Sequence, residues 1–142
     1  MLDAGNTVAA PLDADDHELI AAAEAVLLRH YRPFWHTVSA ALRGRDGRIW
    51  TGVHLGATVG RLSICAEAIA FGRAVLEGDG TIATAVALRH PKPDEELREI
   101  AIVPPCGACR ELIIDYAREA WVILPGPVKL PIRALLPMPY RR

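Results

Sequence analysis

Hydrophobic and polar positions change period several times along the chain, and each change marks an element. From Asp16 to His30 apolar residues recur at helical spacing, with Leu19, Ile20, Ala23, Val26 and Leu27 on one face. Asp15 followed by Glu18 has the form of a capping box and predicts a start near Asp16. After the break at Arg32-Pro33, two runs rich in strand formers, Thr37 to Arg43 and Arg48 to His54, flank Gly44-Arg45-Asp46-Gly47 and predict a hairpin. Ile64 to Glu77 returns to helical spacing and stops at Gly78-Asp79-Gly80, where glycine can form a left-handed cap. Ile82 to Leu88 reads as a buried strand, Lys92 to Arg98 as a charged, Pro-broken connection, and Ile100 to Val103 as a second strand that Pro104-Pro105 ends. A helix from Cys106 or Gly107 to about Arg118 follows, then a third strand candidate, Trp121 to Leu124, and a Pro-rich, semi-regular tail. Residues 1–14 lack periodicity and read as a flexible N-terminal tail, with 15–142 as a single domain of helices layered on one mixed sheet.

Composition narrows what such a domain can do. With 142 residues, 51% of them hydrophobic, the chain has material for one compact core. Its formal net charge of −1 supplies no field that would recruit nucleic acid or an anionic membrane, so a small, near-neutral partner is expected. Asp3, Asp13, Asp15 and Asp16 leave the first segment without a basic start, and no apolar run approaches the roughly 20 residues of a membrane helix. The expectation is a cytoplasmic protein. Three cysteines, two of them in Cys106-Gly107-Ala108-Cys109, suit metal or redox chemistry better than a disulfide framework.

Cys106 and Cys109 fall on one face of the first turn of a predicted helix and can grip one ion together. A helix N-terminus favours thiolates through its free N–H groups and dipole, and Cys65 opens another predicted helix in the same way. If the two helix starts face each other, three sulfurs converge and leave a fourth tetrahedral position for water, as catalytic zinc requires. Glu67, two residues after Cys65, is then placed as a base rather than a ligand: zinc would lower the pKa of water, and the carboxyl group would pass the proton to a leaving amine. Taken singly, each piece has a plainer reading: a redox pair for Cys106 and Cys109, a small buried residue for Cys65, an exposed helix charge for Glu67. The combination of Cys-Ala-Glu at one helix start with Pro-Cys-x-x-Cys at another favours the metal.

Cys65-Ala66-Glu67 and Pro105-Cys106-Gly107-Ala108-Cys109-Arg110 resemble the two signature blocks of the small zinc cytidine deaminases. The resemblance extends to Ala40-Ala41-Leu42, Asp46-Gly47-Arg48, Thr51-Gly52-Val53 and Leu135-Leu136-Pro137, and covers roughly residues 17–140. It implies a three-layer α/β/α fold around a five-stranded mixed sheet and one zinc per chain on Cys65, Cys106 and Cys109. It also implies Glu67 as catalytic proton shuttle, a nucleoside or other aminated heterocycle as substrate, and a homotetramer or dimer with active sites at subunit interfaces.

Departures from the pattern bear on the substrate. Where the family has an Asn-x-Glu segment that holds ribose, this chain reads His54-Leu55-Gly56, and glycine accepts no hydrogen bond from a sugar hydroxyl. His54 remains as one polar contact. His36 stands where the family often has a ring-stacking Phe, and Phe34 with Trp35 and Trp50 can supply stacking surface or core. His54, His36 and Phe34 are therefore the candidate substrate contacts. Ala68 replaces an Arg that offsets the thiolate charge, leaving Arg110, Arg73 or the helix dipoles to compensate. Blasticidin-S deaminases resemble this chain in lacking that Arg and that Glu. The expected reaction is hydrolytic deamination of cytidine, deoxycytidine or a related heterocycle. The alternative is a zinc protein of the same fold, without catalysis, that kept the metal for folding.

Overall fold

The computed structural model describes residues 8–142. Helix α1 spans Ala14–His30, and Asp13 caps it: the Asp16 N–H donates to Asp13 Oδ1 at 2.9 Å, and the Asp13 N–H donates to Asp16 Oδ2 at 3.0 Å. The capping box thus sits two residues earlier than Asp15 and Glu18 suggested. The reason is tertiary, because Asp16 is buried and also receives Lys129 Nζ at 2.7 Å, whereas Glu18 faces outward to Arg43. Of the tail expected over 1–14, residues 1–7 lie outside the described part. Ala10 is not loose: it exchanges two backbone hydrogen bonds with Lys129, at 2.9 and 3.0 Å.

The strands are β1 (Val38–Gly44), β2 (Ile49–Val53), β3 (Ile82–Arg89), β4 (Ala101–Val103), β5 (Trp121–Leu124) and β6 (Val128–Pro131). They form one mixed sheet in the order β2-β1-β3-β5-β6, with β5 parallel to β3 and β4 paired to the other half of the same β3 edge. Six strands stand where five were expected. The strand missed in the sequence is β6, where Val128, Lys129 and Leu130 fold back on β5. Helices α2 (Ala66–Glu77), α3 (Gly107–Tyr116) and the short α4 (Ile132–Leu135) complete the chain.

Two apolar clusters on opposite faces of the sheet give the α/β/α layering. Leu19, Ala23 and Leu27 of α1 pack with Ala41, Val86, Leu88 and Ile123 on one face. Ala66, Ala70, Phe71 and Ala74 of α2 and Ile113 of α3 pack with Ala40, Leu42, Trp50 and Ile82 on the other. Alternation along β1 sends Ala40 and Leu42 to one face and Ala41 to the other, as strand geometry requires. Gly52 lets β2 and α2 approach closely, since a Cβ there would lie 2.7 Å from both Ala66 O and Ala70 N. That contact fixes the height of α2, and with it Cys65 and Glu67, above the sheet. Among the described residues no helix is long and apolar enough to cross a membrane.

Candidate active site

Each cysteine owes its place to a helix start. Cys65 is the N-cap residue of α2, and Cys106 is the N-cap residue of α3, where its sulfur lies 3.5 Å from the donating Cys109 N–H. Cys109 lies within the first turn of α3. Their three Sγ atoms lie within 4.8 Å of one another, and those of Cys65 and Cys106 are 3.6 Å apart. A tetrahedral ion with bonds of about 2.3 Å to sulfur has S···S edges of about 3.8 Å, so the triad is sized to hold such an ion.

The electrostatics of the triad follow from its crowding and burial. Burial, then the Glu67 carboxylate, push the Cys109 thiol far above its ordinary pKa, and its Sγ–H donates to Glu67 Oε2 at 3.2 Å. Burial also raises the Cys65 thiol, with the neighbouring Cys106 and Glu67 adding to the effect. Cys106 is lowered overall: burial raises it, but the Cys109 N–H and the two neighbouring thiols outweigh that. Crowding and burial thus keep at least Cys65 and Cys109 as neutral thiols without a cation, and a cation held by all three sulfurs would favour their ionised form.

Glu67, 5% exposed, lines a cavity of about 250 Å³ together with Thr37, His54, Ser63, Cys65 and Cys106. The structure therefore brings Cys65, Cys106, Cys109, Glu67 and His54 together. His54 Nδ1 accepts the Thr37 backbone N–H at 3.1 Å, which fixes its tautomer when neutral: the proton sits on Nε2, and the ring offers a donor. Burial, then the charge of His36, hold its pKa below the ordinary value, so the neutral ring dominates at neutral pH.

His36 and Phe34 do not line this cavity. His36 Nδ1 donates to the His54 carbonyl at 2.9 Å and so braces the strand end, while Phe34 is 83% exposed beside a neighbouring cavity. Both are kept out of the Glu67 cavity because the turn 32–36 is folded back on itself and leans on Gly56. Gly56 N–H donates to Trp35 O at 2.8 Å, and a Cβ at residue 56 would lie 2.3 Å from Phe34 O. Trp50 is core, and Trp35 is exposed with the Arg32 guanidinium over its ring.

Arg110 and Arg73 do not compensate the sulfurs through the hydrogen bonds they make. Arg110 donates to Pro105 O at 2.9 Å and Leu135 O at 3.1 Å, strapping the cysteine loop to α4, and Arg73 donates to Thr51 O and Glu77. Sequence reasoning missed Thr37 and Ser63. Neither carries a periodic or motif signal, and both are brought to the cavity by chain ends that meet only in the fold.

No family model matches the chain. Blasticidin-S deaminase of Bacillus cereus is 42% identical over 134 residues, covering 92% of this chain and 96% of that protein. Cytidine deaminase of Sporosarcina psychrophila is 33% identical over 104 residues, 72% of this chain and 70% of that one. The crystal structure of cytidine deaminase from Burkholderia pseudomallei superposes with a TM-score of 0.72 at 29% identity, covering 87% of this chain and 98% of that one.

Proposed function

This chain belongs to the cytidine and blasticidin-S deaminase family, and on that premise we propose that it is a zinc-dependent hydrolytic deaminase of a cytosine-type nucleoside or a related aminated heterocycle. In this reading Cys65, Cys106 and Cys109 hold one zinc, and Glu67 is the catalytic proton carrier. The observation that carries it is the meeting of three thiols and one buried carboxyl group, with Cys65, Cys106 and Glu67 lining one cavity and the buried Cys109 bonded to Glu67. A structural zinc site has no use for a carboxyl group held against its ligands, which favours catalysis over a metal kept only for folding.

When bound, zinc supplies Lewis-acid activation of water at neutral pH. Glu67 takes a first proton from the attacking water on a carboxylate oxygen and delivers it to the ring nitrogen, then takes the second proton from the added hydroxyl as the carbonyl forms and delivers it to the leaving nitrogen. The balance is simple: the oxygen of water bonds to the ring carbon, the exocyclic C–N bond breaks, and ammonia leaves. Burial keeps Glu67 away from bulk water, so the proton it accepts is delivered within the cavity. His54, a neutral Nε2–H donor, binds an acceptor atom of the substrate and excludes analogues that lack one. The substrate is a small molecule, and the working form is a homo-oligomer, tetramer or dimer, in the cytoplasm.

The test is zinc content together with ammonia release from cytosine, cytidine, deoxycytidine and blasticidin S, for the wild type, Glu67→Gln and Cys106→Ser. Near-stoichiometric zinc with ammonia from at least one compound is expected in the wild type. Glu67→Gln should keep zinc and lose roughly 10²–10⁴-fold in kcat, and Cys106→Ser should lose zinc. Full turnover by Glu67→Gln would falsify the role given to the carboxyl group, and a wild type without zinc affinity would remove the mechanism.

A further inference from the structure

Just beyond the ends of β1 and β2, His54 is tied to three consecutive residues of the facing segment. Its N–H donates to Val38 O at 2.8 Å, its carbonyl accepts His36 Nδ1 at 2.9 Å, and its ring nitrogen Nδ1 accepts the Thr37 N–H at 3.1 Å. On the β3 side of the same segment, the His90 N–H donates to Thr37 O at 2.9 Å. Resting on the deaminase reading above, we propose that Thr37 is a positioning residue for the reaction: its backbone N–H holds the His54 ring with Nε2–H as the one donor edge, and so sets how tightly the Glu67 cavity binds substrate.

The hydrogen-bond pattern shows a donor diverted to this task. A hydrogen-bonded antiparallel pair exchanges two N–H···O bonds. Thr37 and His90, next beyond the Val38–Arg89 pair, make one of them, and the second donor, the Thr37 N–H, turns to a side chain instead. The Thr37 hydroxyl lies 3.2 Å from the same Nδ1. A neutral Nδ1 has one lone pair, and the N–H, fixed in the backbone, cannot rotate away as a hydroxyl can, so it takes that lone pair.

The arrangement is fixed from behind. Gly56 N–H donates to Trp35 O at 2.8 Å, and a Cβ at residue 56 would lie 2.3 Å from Phe34 O, so only glycine lets the 34–37 segment come this close to His54. The placement matters because the cavity has few groups that can orient a substrate. Glu67 is the one carboxylate in its lining and no Lys or Arg lines it, which leaves His54 and the hydroxyls of Thr37 and Ser63 beside the thiols. An imidazole free to flip or to change tautomer would present an acceptor or a carbon edge part of the time. Holding it in one state removes that ordering cost before substrate arrives.

Thr37→Pro deletes the N–H at a position just before β1, where proline breaks no strand-pairing bond. Exchange of the same amide for an ester, through the α-hydroxy analogue of threonine, deletes the N–H if the proline variant does not fold. Ammonia release is measured on the zinc-loaded enzyme with the compound of the panel above that the wild type turns over, at about pH 8, where the neutral ring dominates. Long-range 1H–15N NMR reads the tautomer, and His54→Phe identifies the His54 signals. Loss of the N–H should raise KM about tenfold with kcat nearly unchanged, and should mix the Nδ1–H form into the ring. In the His54→Phe background the same deletion should have no further effect on KM. Thr37→Val, which keeps the N–H, should keep the Nε2–H tautomer. An unchanged KM, a ring that stays in the Nε2–H form without the N–H, or an equal KM loss in the His54→Phe background overturns the proposal and leaves the deaminase standing. If the wild type releases no ammonia from any compound, the deaminase reading fails by itself. The NMR arm then decides whether Thr37 holds the ring: mixed tautomers after N–H deletion support it, and an unchanged Nε2–H form overturns it.

Discussion

Substituting Gly52 by alanine perturbs the contact that sets the active-site helix above the sheet. The new Cβ would stand 2.7 Å from Ala66 O and from Ala70 N, and 3.0 Å from Ile69 Cβ. Two of those neighbours are backbone atoms of α2 and cannot move aside by changing a rotamer. To reach 3.4 Å, where ordinary contact begins, α2 must withdraw by about 0.7 Å. Such overpacking costs about 1–3 kcal/mol, which for a chain of 142 residues lowers Tm by about 3–12 °C. Because α2 also carries Glu67 and follows Cys65, a displacement of that size should lower kcat/KM about tenfold beyond the loss of folded protein. Gly72 in the same helix is the control, since a Cβ there meets nothing within 4 Å. Gly72→Ala should raise stability by about 0.5–1 kcal/mol through helix propensity alone. Thermal unfolding followed by circular dichroism, with ammonia release on the same samples, reads both effects. A Gly52→Ala variant with unchanged Tm and activity, or a Gly72→Ala variant as damaged as Gly52→Ala, would refute the argument.

Three other outcomes are expected. Lys129→Met removes the cation shared by Asp13 and Asp16 and should destabilise the fold by about 1–3 kcal/mol at pH 7, by urea unfolding. The pH dependence has a definite sign. Asp13, held below its ordinary pKa first by the Asp16 N–H and also by Lys129, contributes stability above about pH 3.8 that is lost as pH falls through its folded value. Lys129 is raised overall: burial lowers it, but Asp16 and Asp13 outweigh that, so its contribution is full below about pH 10.5 and is lost as pH rises through the folded value. The difference between wild type and Lys129→Met should therefore be flat between these limits and shrink outside them. Arg110→Ala loses the strap to Pro105 O and Leu135 O and should weaken zinc binding about tenfold in a chelator competition, with Glu67 intact. Leu27→Ala, at a fully buried position of α1, should cost about 2–5 kcal/mol in urea unfolding without changing zinc content.

Much of the scaffold was readable because its signals are local. The hairpin, the two helices that open with cysteines, and the strand Trp121–Leu124 follow from short-range periodicity and turn chemistry. The helix cap was read two residues late, since Asp13 and Asp15 offer equal local chemistry and only Lys129, from β6, selects Asp16 as the reciprocal partner. Strand β6 itself escaped because three residues between Pro127 and Pro131 carry too little pattern, whereas pairing with β5 stabilises them in the fold.

At the site, residue types and spacing singled out Cys65, Glu67, Cys106 and Cys109, since each has a plainer reading singly but the combination of Cys-Ala-Glu with Pro-Cys-x-x-Cys at two helix starts favours a metal. The sequence by itself thus determined most of the elements and the chemistry available to them, because propensity, turn chemistry and ligand type are properties of a residue and its near neighbours. Only the tertiary structure decided which groups share a cavity. Thr37 fixes the tautomer of His54, Gly56 draws the Phe34 turn inward, and Arg110 ties the cysteine loop to α4, each through contacts between distant segments. Such contacts depend on how the strand ends are juxtaposed, and no local pattern along the chain encodes that.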